Sequence, residues 1–417
     1  MDLKSGFKQT DAGPVPLDWD APRLGALVKI TSGASPSLFR FSMSGIPYFK
    51  VEQLSNSEKY LGAADTPYRF ERGDTVLANS VVFAKRGGAI ALNKVRILKE
   101  KSFMDTNLMA LTPQPGLESG YLYYALGHIG LWRFADTTSV PQINNKHIKP
   151  LPFPLPPLPE QHAIVATLSD VDALIGALDE LIAKKRDLKT ATMQQLLTGQ
   201  RRLPGFTGAW ETKRLGELFT FLRTAHNPRA DLSAQGDVGY VHYGDIHTSA
   251  RAFLDVSTSA LPRIRGALVT GANFIEDGDL IMADASEDYD GIGKCVEVSG
   301  TSALKVVAGL HTFLLRGDRQ QLADGFKGYM QAIPTIRSSL VRLATGISVY
   351  GVSKNNVKSI EVVLPSLKEQ QAISHVLRDM DAELGALEER RDKTQHLKQG
   401  MMQELLTGRT RLVEAAP

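Results

Sequence analysis

The chain has one cysteine, Cys295, in 417 residues, and it has no apolar run long enough to span a bilayer. A single thiol excludes an internal disulfide and a zinc or iron–sulfur centre built from cysteines, and it is typical of proteins kept in a reducing cytosol. The first six residues lack the apolar core of a signal peptide. We therefore expect a cytoplasmic protein with no membrane association.

Basic residues barely outnumber acidic ones, and the formal net charge is only +3. Residues 1–155 carry 18 Lys/Arg against 13 Asp/Glu, whereas residues 204–365 carry 16 against 17. The chain is therefore not a polycation, and binding to nucleic acid would depend on local patches or on a partner. The length exceeds what one ordinary core supports, so two or three domains are expected.

Motifs for catalysis are missing. The sequence has no GxxxxGK[ST] phosphate loop, and it has neither the Asn/Asp/Ser-Pro-Pro-aromatic loop nor the glycine-rich loop of an adenine methyltransferase. Glu211 and Lys213 form an E-x-K pair without the upstream Pro-Asp of a metal-dependent nuclease. The carboxylates within 284–290 suit either a cation site or a solvated loop. His242 and His247 lack further ligands, so no metal is predicted.

What the sequence contains instead is an internal repeat. Residues 158–203 and 367–412 align without a gap at an offset of 209, and roughly half of the positions are identical. The segments before these blocks correspond more loosely, with Trp19 matching Trp210. The predicted order is a variable domain, a shared helix, a second variable domain and a second shared helix. The predicted boundaries are 1–155, 156–203, 204–365 and 366–417.

Each repeated block is predicted to form one long helix. Apolar residues alternate at spacings of four and three, the 3.5-residue period of a coiled coil. The predicted seam residues are Ile164, Leu168, Val171, Ile175, Leu178, Ile182, Ile373, Leu377, Met380, Leu384 and Leu387. Gly199 and Gly408 are typical of residues that follow a helix end. The simplest partner for one seam is the other, and a pseudo-two-fold relation between the halves favours an antiparallel coiled coil.

The ends and the polar part of these helices carry further signals. Ser366 with Glu369 three residues later predicts a capping box at the start of the second helix. Past Ile182 the seam becomes polar in both copies, with Lys185 and Arg186 in the first and Arg391 and Lys393 in the second. This polar stretch is either a solvated face or a docking face for another subunit.

The variable domains are predicted to be α+β, with a mixed sheet and helices. Strand-like stretches with turn residues between them are 75–84, 89–98, 274–283 and 294–298. A helix is expected over 120–134, and its counterpart near Gly325 is interrupted by Pro334. Six prolines within 150–159 predict a stiff, extended connector into the first long helix.

Polar loops in both variable domains are candidates for contact with double-stranded DNA. Basic side chains beside a tight turn suit phosphates, and amide side chains can pair with adenine in the major groove. The candidates in the first domain are Lys85, Arg86, Gln142, Asn144, Asn145 and Lys146. The candidates in the second domain are Arg223, His226, Asn227, Arg229, Tyr350, Lys354, Asn355 and Asn356. Plain exposed loops are the alternative for each group.

These features together resemble the specificity subunits of type I restriction–modification systems over nearly the whole chain. The most specific motifs are the Leu-Pro-x-Pro run into Leu-Pro-Glu-Gln with Ile164, and the Leu-Leu-Thr-Gly helix ends. The domain openings, Pro16-x-x-Trp19 and Pro204 to Trp210, also match. All of them occur in duplicated order, as in that family.

The resemblance implies two target-recognition domains, each of which reads one half of a split DNA sequence, with the antiparallel coiled coil as a spacer. It also implies two modification subunits that bind S-adenosylmethionine and methylate adenine, and restriction subunits that cleave DNA with ATP and Mg²⁺. The chain itself would bind no cofactor and catalyse nothing. Two alternatives remain open: a self-contained DNA methyltransferase or nuclease, and a coiled-coil assembly scaffold that reads no bases.

Overall fold

The computed structural model describes residues 5–38, 41–71, 73–136, 140–248 and 252–412. The chain divides into two compact units. The first unit is Met1–Asp179 with Glu389–Pro417, and the second unit is Glu180–Glu388. Among the described residues, no helix combines the length and the apolarity needed to cross a membrane. Residues 1–4, on which the expectation of no signal peptide partly rests, lie outside the described part.

The first unit is built on a five-stranded sheet. Its strands in spatial order are Val28–Ser32, Leu108–Pro113, Val81–Ala84, Val95–Leu98 and Tyr60–Leu61. A three-stranded sheet is formed by Arg69–Phe70, Phe41–Phe49 and Phe103–Met104, and a hairpin by Phe7–Thr10 and Gly13–Pro16. The short helices of this unit are Leu24–Leu27, Ser119–Ile129 and Asn145–Ile148.

The second unit is built on its own five-stranded sheet. Its strands in spatial order are Phe219–Leu222, Thr312–Gly317, Leu280–Ala283, Cys295–Ser299 and Phe253–Asp255. A three-stranded sheet is formed by Arg263–Ile264, Val238–Val241 and Val306–Ala308. Two pairs of strands form two-stranded sheets, Glu211–Arg214 with Glu361–Leu364 and Ala285–Ser286 with Tyr350–Gly351. The short helices are Leu215–Leu218, Tyr243–Thr248, Pro334–Leu343 and Lys354–Ser359.

The two units share one sheet topology. When the strands of each five-stranded sheet are numbered along the chain, both sheets have the spatial order 1-5-3-4-2. In both, only the pair formed by strands 4 and 2 is parallel. In both three-stranded sheets, the strand that comes first in the chain is central, with one antiparallel and one parallel neighbour. The α+β class and the internal repeat are thus confirmed at the level of strand order.

Three of the four strand-like stretches are longer than the strands that form, whereas 294–298 agrees with the strand Cys295–Ser299 to within one residue. Within 75–84, only Val81–Ala84 is a strand, because Asn79 takes a left-handed backbone at φ 62° and turns the chain just before it. The helix expected over 120–134 ends at Ile129, since Gly130 adopts φ 77°. Its counterpart is broken as predicted, with Pro334 as the first residue of a new helix.

Residues 151–157 of the proline-rich run are extended and lie beside the opening of the first domain, whereas Leu158 and Pro159 begin the first long helix. Asp20 pairs with Leu155, and Arg23 pairs with Pro152, as isolated antiparallel bridges. At the equivalent place in the second unit, a continuous ladder joins Glu211–Arg214 to Glu361–Leu364. The first copy has only bridges because proline has no N–H to donate to a ladder.

The repeated blocks form two long helices, the central helix Leu158–Leu197 and the C-terminal helix Leu367–Leu405. In the first unit, Asp172 pairs with Lys398 at 2.5 Å and Asp179 with Arg391 at 3.6 Å. Residue numbers rise on one helix as they fall on the other, so the helices run antiparallel. In the second unit the same two helices are joined by Lys185–Glu383, Arg186–Glu388 and Lys189–Asp381, and the last two of these pairs follow the same antiparallel order.

These ion pairs explain the polar stretch of the seam. Lys185, Arg186 and Arg391 reach carboxylates of the facing helix, whereas Lys393 pairs with Glu389 on its own helix. The polar stretch is therefore occupied mainly by ion pairs between helices, a role that neither sequence-based alternative included.

The apolar seam positions are buried to different degrees. The buried ones are Ile164, Leu168, Leu178, Ile182, Ile373, Leu377 and Leu384, and the half-buried ones are Val171, Ile175, Met380 and Leu387. Ile164 and Leu168 belong to the hydrophobic core of the first unit, and Ile373 and Leu377 to that of the second. Burying each such side chain contributes roughly 1.5–3 kcal/mol, so the helices stabilise the sheets they pack on.

A buried carboxylate ties each α+β domain to both long helices. In the first junction, Glu160 at the start of the central helix is fully buried and accepts from the Trp19 indole N–H at 2.8 Å. Arg411, beyond the end of the C-terminal helix, donates to the same carboxylate at 2.6 Å. Arg411 also binds Asp18 and holds the pKa of that carboxyl below its ordinary value.

The second junction repeats this arrangement with the helices exchanged. Glu369, at the start of the C-terminal helix, accepts from Arg202 at 2.6 Å and from the Trp210 indole N–H at 3.2 Å. The hydroxyl of Ser366 accepts from the backbone N–H of Glu369 at 3.4 Å. The predicted capping box is thus half present, because the Glu369 carboxylate serves the junction.

A tyrosine provides a second link from each α+β domain to the long helices: Tyr124 lies on the helix Ser119–Ile129, and Tyr329 lies on the 3-10 helix Lys327–Ala332. The Tyr124 hydroxyl donates to Asp172 at 2.6 Å, and the Tyr329 hydroxyl donates to Asp381 at 2.6 Å. Burial raises the pKa of both phenols well above the ordinary value. Both tyrosines therefore stay protonated and act as donors to carboxylates that already carry an inter-helix ion pair.

Candidate nucleic-acid interface

In the first unit, backbone pairing brings the two predicted groups of DNA-contacting residues together. Arg86 forms an antiparallel bridge with Gln142. The Ile143 N–H donates to the Lys85 carbonyl at 2.8 Å, and the Gly87 N–H donates to the Pro141 carbonyl at 2.9 Å. The turn after the strand Val81–Ala84 is thus held against the loop that precedes the helix Asn145–Ile148.

The side chains of this cluster differ in exposure. Arg86, Asn144 and Asn145 are exposed, whereas Lys85 is half-buried and burial lowers the pKa of its ammonium. The Lys146 ammonium is exposed and lies 3.2 Å from a carboxylate oxygen of Asp136. The paired turn and loop bring several cations and amides together, which is the composition that phosphate and base-edge contacts need.

In the second unit, the corresponding turn borders a cleft of about 950 Å³. Four of the predicted residues line it: Arg223, His226, Asn227 and Lys354. The Lys354 ammonium also lies 5.2 Å from the centre of the Phe221 ring, a cation–π distance. Three of these residues carry basic side chains, so the cleft has a basic rim although the domain as a whole is near neutral.

The other four predicted residues of the second unit do not line this cleft. Tyr350 stacks on Tyr289, with ring centroids 4.1 Å apart. The Asn356 side-chain amide donates to the Leu343 carbonyl at 3.4 Å, and Asn355 is exposed on the same short helix. Arg229 is exposed and begins the turn Arg229–Asp231, two residues after Asn227.

Two ionisable cleft residues, Asp284 and His311, were not among the predicted contacts. Asp284 follows the central strand Leu280–Ala283, and its carboxylate lies 3.4 Å from Nδ1 of His311. Burial raises the pKa of Asp284, while His311 and His226 act in the opposite direction. The sequence does not reveal the position of Asp284, because Asp284 is followed by other carboxylates and resembles part of one acidic cluster. An alignment of Lys85 with Asp284 within the repeat would have found it.

The remaining candidate chemistry has ordinary structural explanations. Glu211 and Lys213 form an ion pair at 3.1 Å on a strand, which accounts for the E-x-K spacing. Asp288 accepts from the backbone N–H of Gly291 at 2.6 Å and closes a turn. Across the described part of the chain, no group of three or more His, Cys, Asp or Glu side chains is placed to hold a metal ion.

Comparison with known families places both halves of the chain in one group. The sequence profile described as the type I restriction modification DNA specificity domain matches residues 16–184 and again residues 208–396. The two matches follow the same order as the repeat seen in the sequence and in the sheets.

Individual relatives agree along the full length. The chain is 22% identical to the type I restriction enzyme MjaVIII specificity subunit of Methanocaldococcus jannaschii, over 98% of this chain and 97% of that protein. Its fold resembles the crystal structure of the type I restriction–modification S subunit from M. genitalium, with a TM-score of 0.55, 17% identity and coverage of 97% and 98%. A chain solved in a study of complex assembly in a type I system gives a TM-score of 0.59 at 16% identity, with coverage of 95% and 99%.

Proposed function

The chain belongs to the family of type I restriction–modification DNA specificity proteins, and from this premise we propose that each of its two domains reads one half of a divided DNA target. The duplication carries this proposal. Two domains with one sheet order present different side chains at equivalent loops, while the helices behind them are near-copies. A common scaffold with divergent contact residues is what independent reading of two different sequences requires.

We propose the predicted boundaries as the functional ones, with recognition domains at 1–155 and 204–365 and spacer helices at 156–203 and 366–417. In the first domain the contacts to duplex DNA come from the turn and loop held together by the bridge between Arg86 and Gln142. In the second domain they come from the basic rim of the cleft. The weak net charge fits a chain that shares the neutralisation of phosphates with other subunits.

The two helices supply the spacing between the half-sites. Ion pairs between the helices fix their register in each unit, and buried junctions attach each domain to both helices. A recognition element attached rigidly to a spacer of defined length determines half-site separation geometrically. The unspecified stretch between the two halves of the target then follows from helix length.

The chain is a recognition subunit and not an enzyme. We propose that two modification subunits bind S-adenosylmethionine and methylate adenine in the target, and that restriction subunits cleave DNA with ATP and Mg²⁺. The absence of phosphate-loop and methyltransferase motifs from the sequence supports this division of labour. Work on cellular DNA by such a complex takes place in the cytoplasm.

Mapping of methylated adenines in the host genome, with and without this gene, tests the proposal. We expect one motif made of two short specific halves and an unspecified spacer, and we expect methylation at that motif to disappear when the gene is removed. Restoring the gene on a plasmid is the control and should restore the motif. An identical set of methylated sites without the gene would contradict the proposal.

A further inference from the structure

The internal repeat allows each recognition domain to be compared with the other, position by position. Lys85 directly follows the strand Val81–Ala84, and Asp284 directly follows the strand Leu280–Ala283, and these are the third strands of their sheets. The Lys85 carbonyl accepts from Ile143, and the Asp284 carbonyl accepts from Val352. Lys85 and Asp284 therefore occupy the same place in the two domains.

The neighbour of this position is equivalent as well. The Lys85 N–H donates to the carbonyl of Asn107 at 2.8 Å, and the Asp284 N–H donates to the carbonyl of His311 at 3.1 Å. Asn107 and His311 each immediately precede the adjacent strand of the sheet. The shared backbone thus presents a lysine beside an asparagine in one domain, and an aspartate beside a histidine in the other.

The shared backbone does not account for these charges. Burial lowers the pKa of Lys85 and raises the pKa of Asp284, so the surroundings disfavour the charged form of both side chains. The charges are opposite in sign although the backbone around them is the same. A structural requirement of the shared backbone would instead demand similar residues.

The backbone at His311 adds an independent observation. His311 has a φ of 58°, in the left-handed region that residues with a side chain rarely adopt, and its ring remains about half exposed at 52%. Such strain is retained where it positions a side chain for a ligand. The ring lines the same cleft as Asp284, together with the basic side chains of Arg223, His226 and Lys354.

We propose that this position reads a base in each half of the target, Lys85 in the first domain and Asp284 in the second. The inference rests on the proposed function and adds the chemical identity of the bases. A lysine ammonium donates to the O6 and N7 acceptors of guanine, whereas a carboxylate accepts from the N4 amino group of cytosine. The basic rim contacts phosphates and brings the Asp284 carboxylate to the base edges despite its charge.

Selection from a duplex library with randomised half-sites, using the chain assembled with its modification subunits, tests the assignment. In Asp284→Asn, an amide replaces the carboxylate with little change of shape, and an amide pairs with adenine. We expect one base pair in one half-site to change from a cytosine to an adenine preference, and the other half-site to stay the same. Affinity for the original target should fall roughly tenfold to a hundredfold.

Lys85→Gln is the reciprocal variant and lies in the other unit, so a folding defect in one unit leaves the other test valid. It should change the preference for guanine at one position of the half-site that the first domain reads. Glu287→Gln is the matched control, because it removes the same charge from an exposed position three residues from Asp284. It should leave every base preference unchanged.

The outcomes separate this inference from the function on which it rests. Specific binding by the wild-type complex, with preferences unchanged in Asp284→Asn and Lys85→Gln, would overturn the assignment alone. Equal weakening on all sequences would do the same, since it would show an electrostatic contribution without base reading. A wild-type complex that selects no sequence from the library would overturn the proposed function itself.

Discussion

At the residue scale, the two junction carboxylates are buried charges that need a partner. Glu160 and Glu369 are 0% and 1% exposed, and each is neutralised by an arginine from beyond the end of the other helix. A buried ion pair stabilises little by itself, but removing one partner leaves an uncompensated charge that costs about 3–5 kcal/mol. The junctions therefore enforce the attachment of each domain more than they add to total stability.

The tryptophan donors allow a matched test of the junctions. Trp19→Phe keeps an aromatic ring but removes the N–H bonded to Glu160, and we expect it to lower the free energy of unfolding by about 1–3 kcal/mol. Trp210→Phe should cost less, because Trp210 is only half-buried and its bond is longer, at 3.2 Å. Urea unfolding followed by circular dichroism measures both values. Equal losses, or no loss in Trp19→Phe, would contradict the role given to the first junction.

Cys295 supports a second prediction at this scale. Burial raises the pKa of its thiol to about 12, and the side chain is 1% exposed. Only the thiolate reacts with disulfide reagents, and roughly one thiol in ten thousand is ionised at pH 8 with such a pKa. We expect no reaction of the native protein with Ellman's reagent, and one equivalent after unfolding in guanidinium. Rapid reaction of the native protein would show that the thiol is accessible.

At the scale of elements, the sequence identifies the long helices well and the sheets poorly. The repeat at an offset of 209 and the two glycines after Leu-Leu-Thr locate both helices, which end at Leu197 and Leu405. Strand bounds depend on turns such as the one at Asn79, whose left-handed backbone has no reliable signal in one sequence. The shared strand order is invisible for the same reason, because non-local pairing leaves almost no local pattern.

The candidate interface was predictable only in part. Residue type and turn chemistry indicated Lys85, Arg86 and Gln142, which backbone pairing does bring together. The cleft position of Asp284 depends on a backbone hydrogen bond to His311, a residue that precedes another strand. Local reasoning therefore placed Asp284 in an acidic cluster that suits either a cation site or a solvated loop, and only the sheet register reveals its place.

The helix pair permits a prediction about length. Seven residues inserted after Asp179 and seven after Glu388 would add two turns to both helices and keep the ion pairs on either side in register. We expect the unspecified spacer of the target to lengthen by about 10 Å, or roughly three base pairs, with both specific halves unchanged. Methylation mapping in a host that carries the variant measures the spacer.

An insertion in the central helix alone is the control for the longer pair. It should displace partners such as Lys189 and Asp381 from each other and lower the stability of the chain. A spacer that stays the same in the paired insertion would rule out the helices as its determinant.

At the scale of the whole molecule, the two recognition domains should be exchangeable independently. Replacing residues 1–150 with the corresponding domain of another family member, with the tryptophan of the first junction retained, should change one half of the target only. Each domain has its own hydrophobic clusters and its own junction, which is the physical basis for independence. Motif mapping gives the answer, and a change in both halves would show that the domains do not read separately.

The discontinuity of the first unit has a consequence for the order in which the protein can be completed during synthesis. Glu180–Glu388 is contiguous, whereas Met1–Asp179 requires Glu389–Pro417 from the opposite end of the chain. A ribosome that adds about 5–20 residues per second needs roughly ten to fifty seconds to pass from Asp179 to the last residue. During that interval Glu160 and Asp172 lack their ion-pair partners, Arg411 and Lys398, which are synthesised later. The unit whose synthesis begins first is therefore the one completed last.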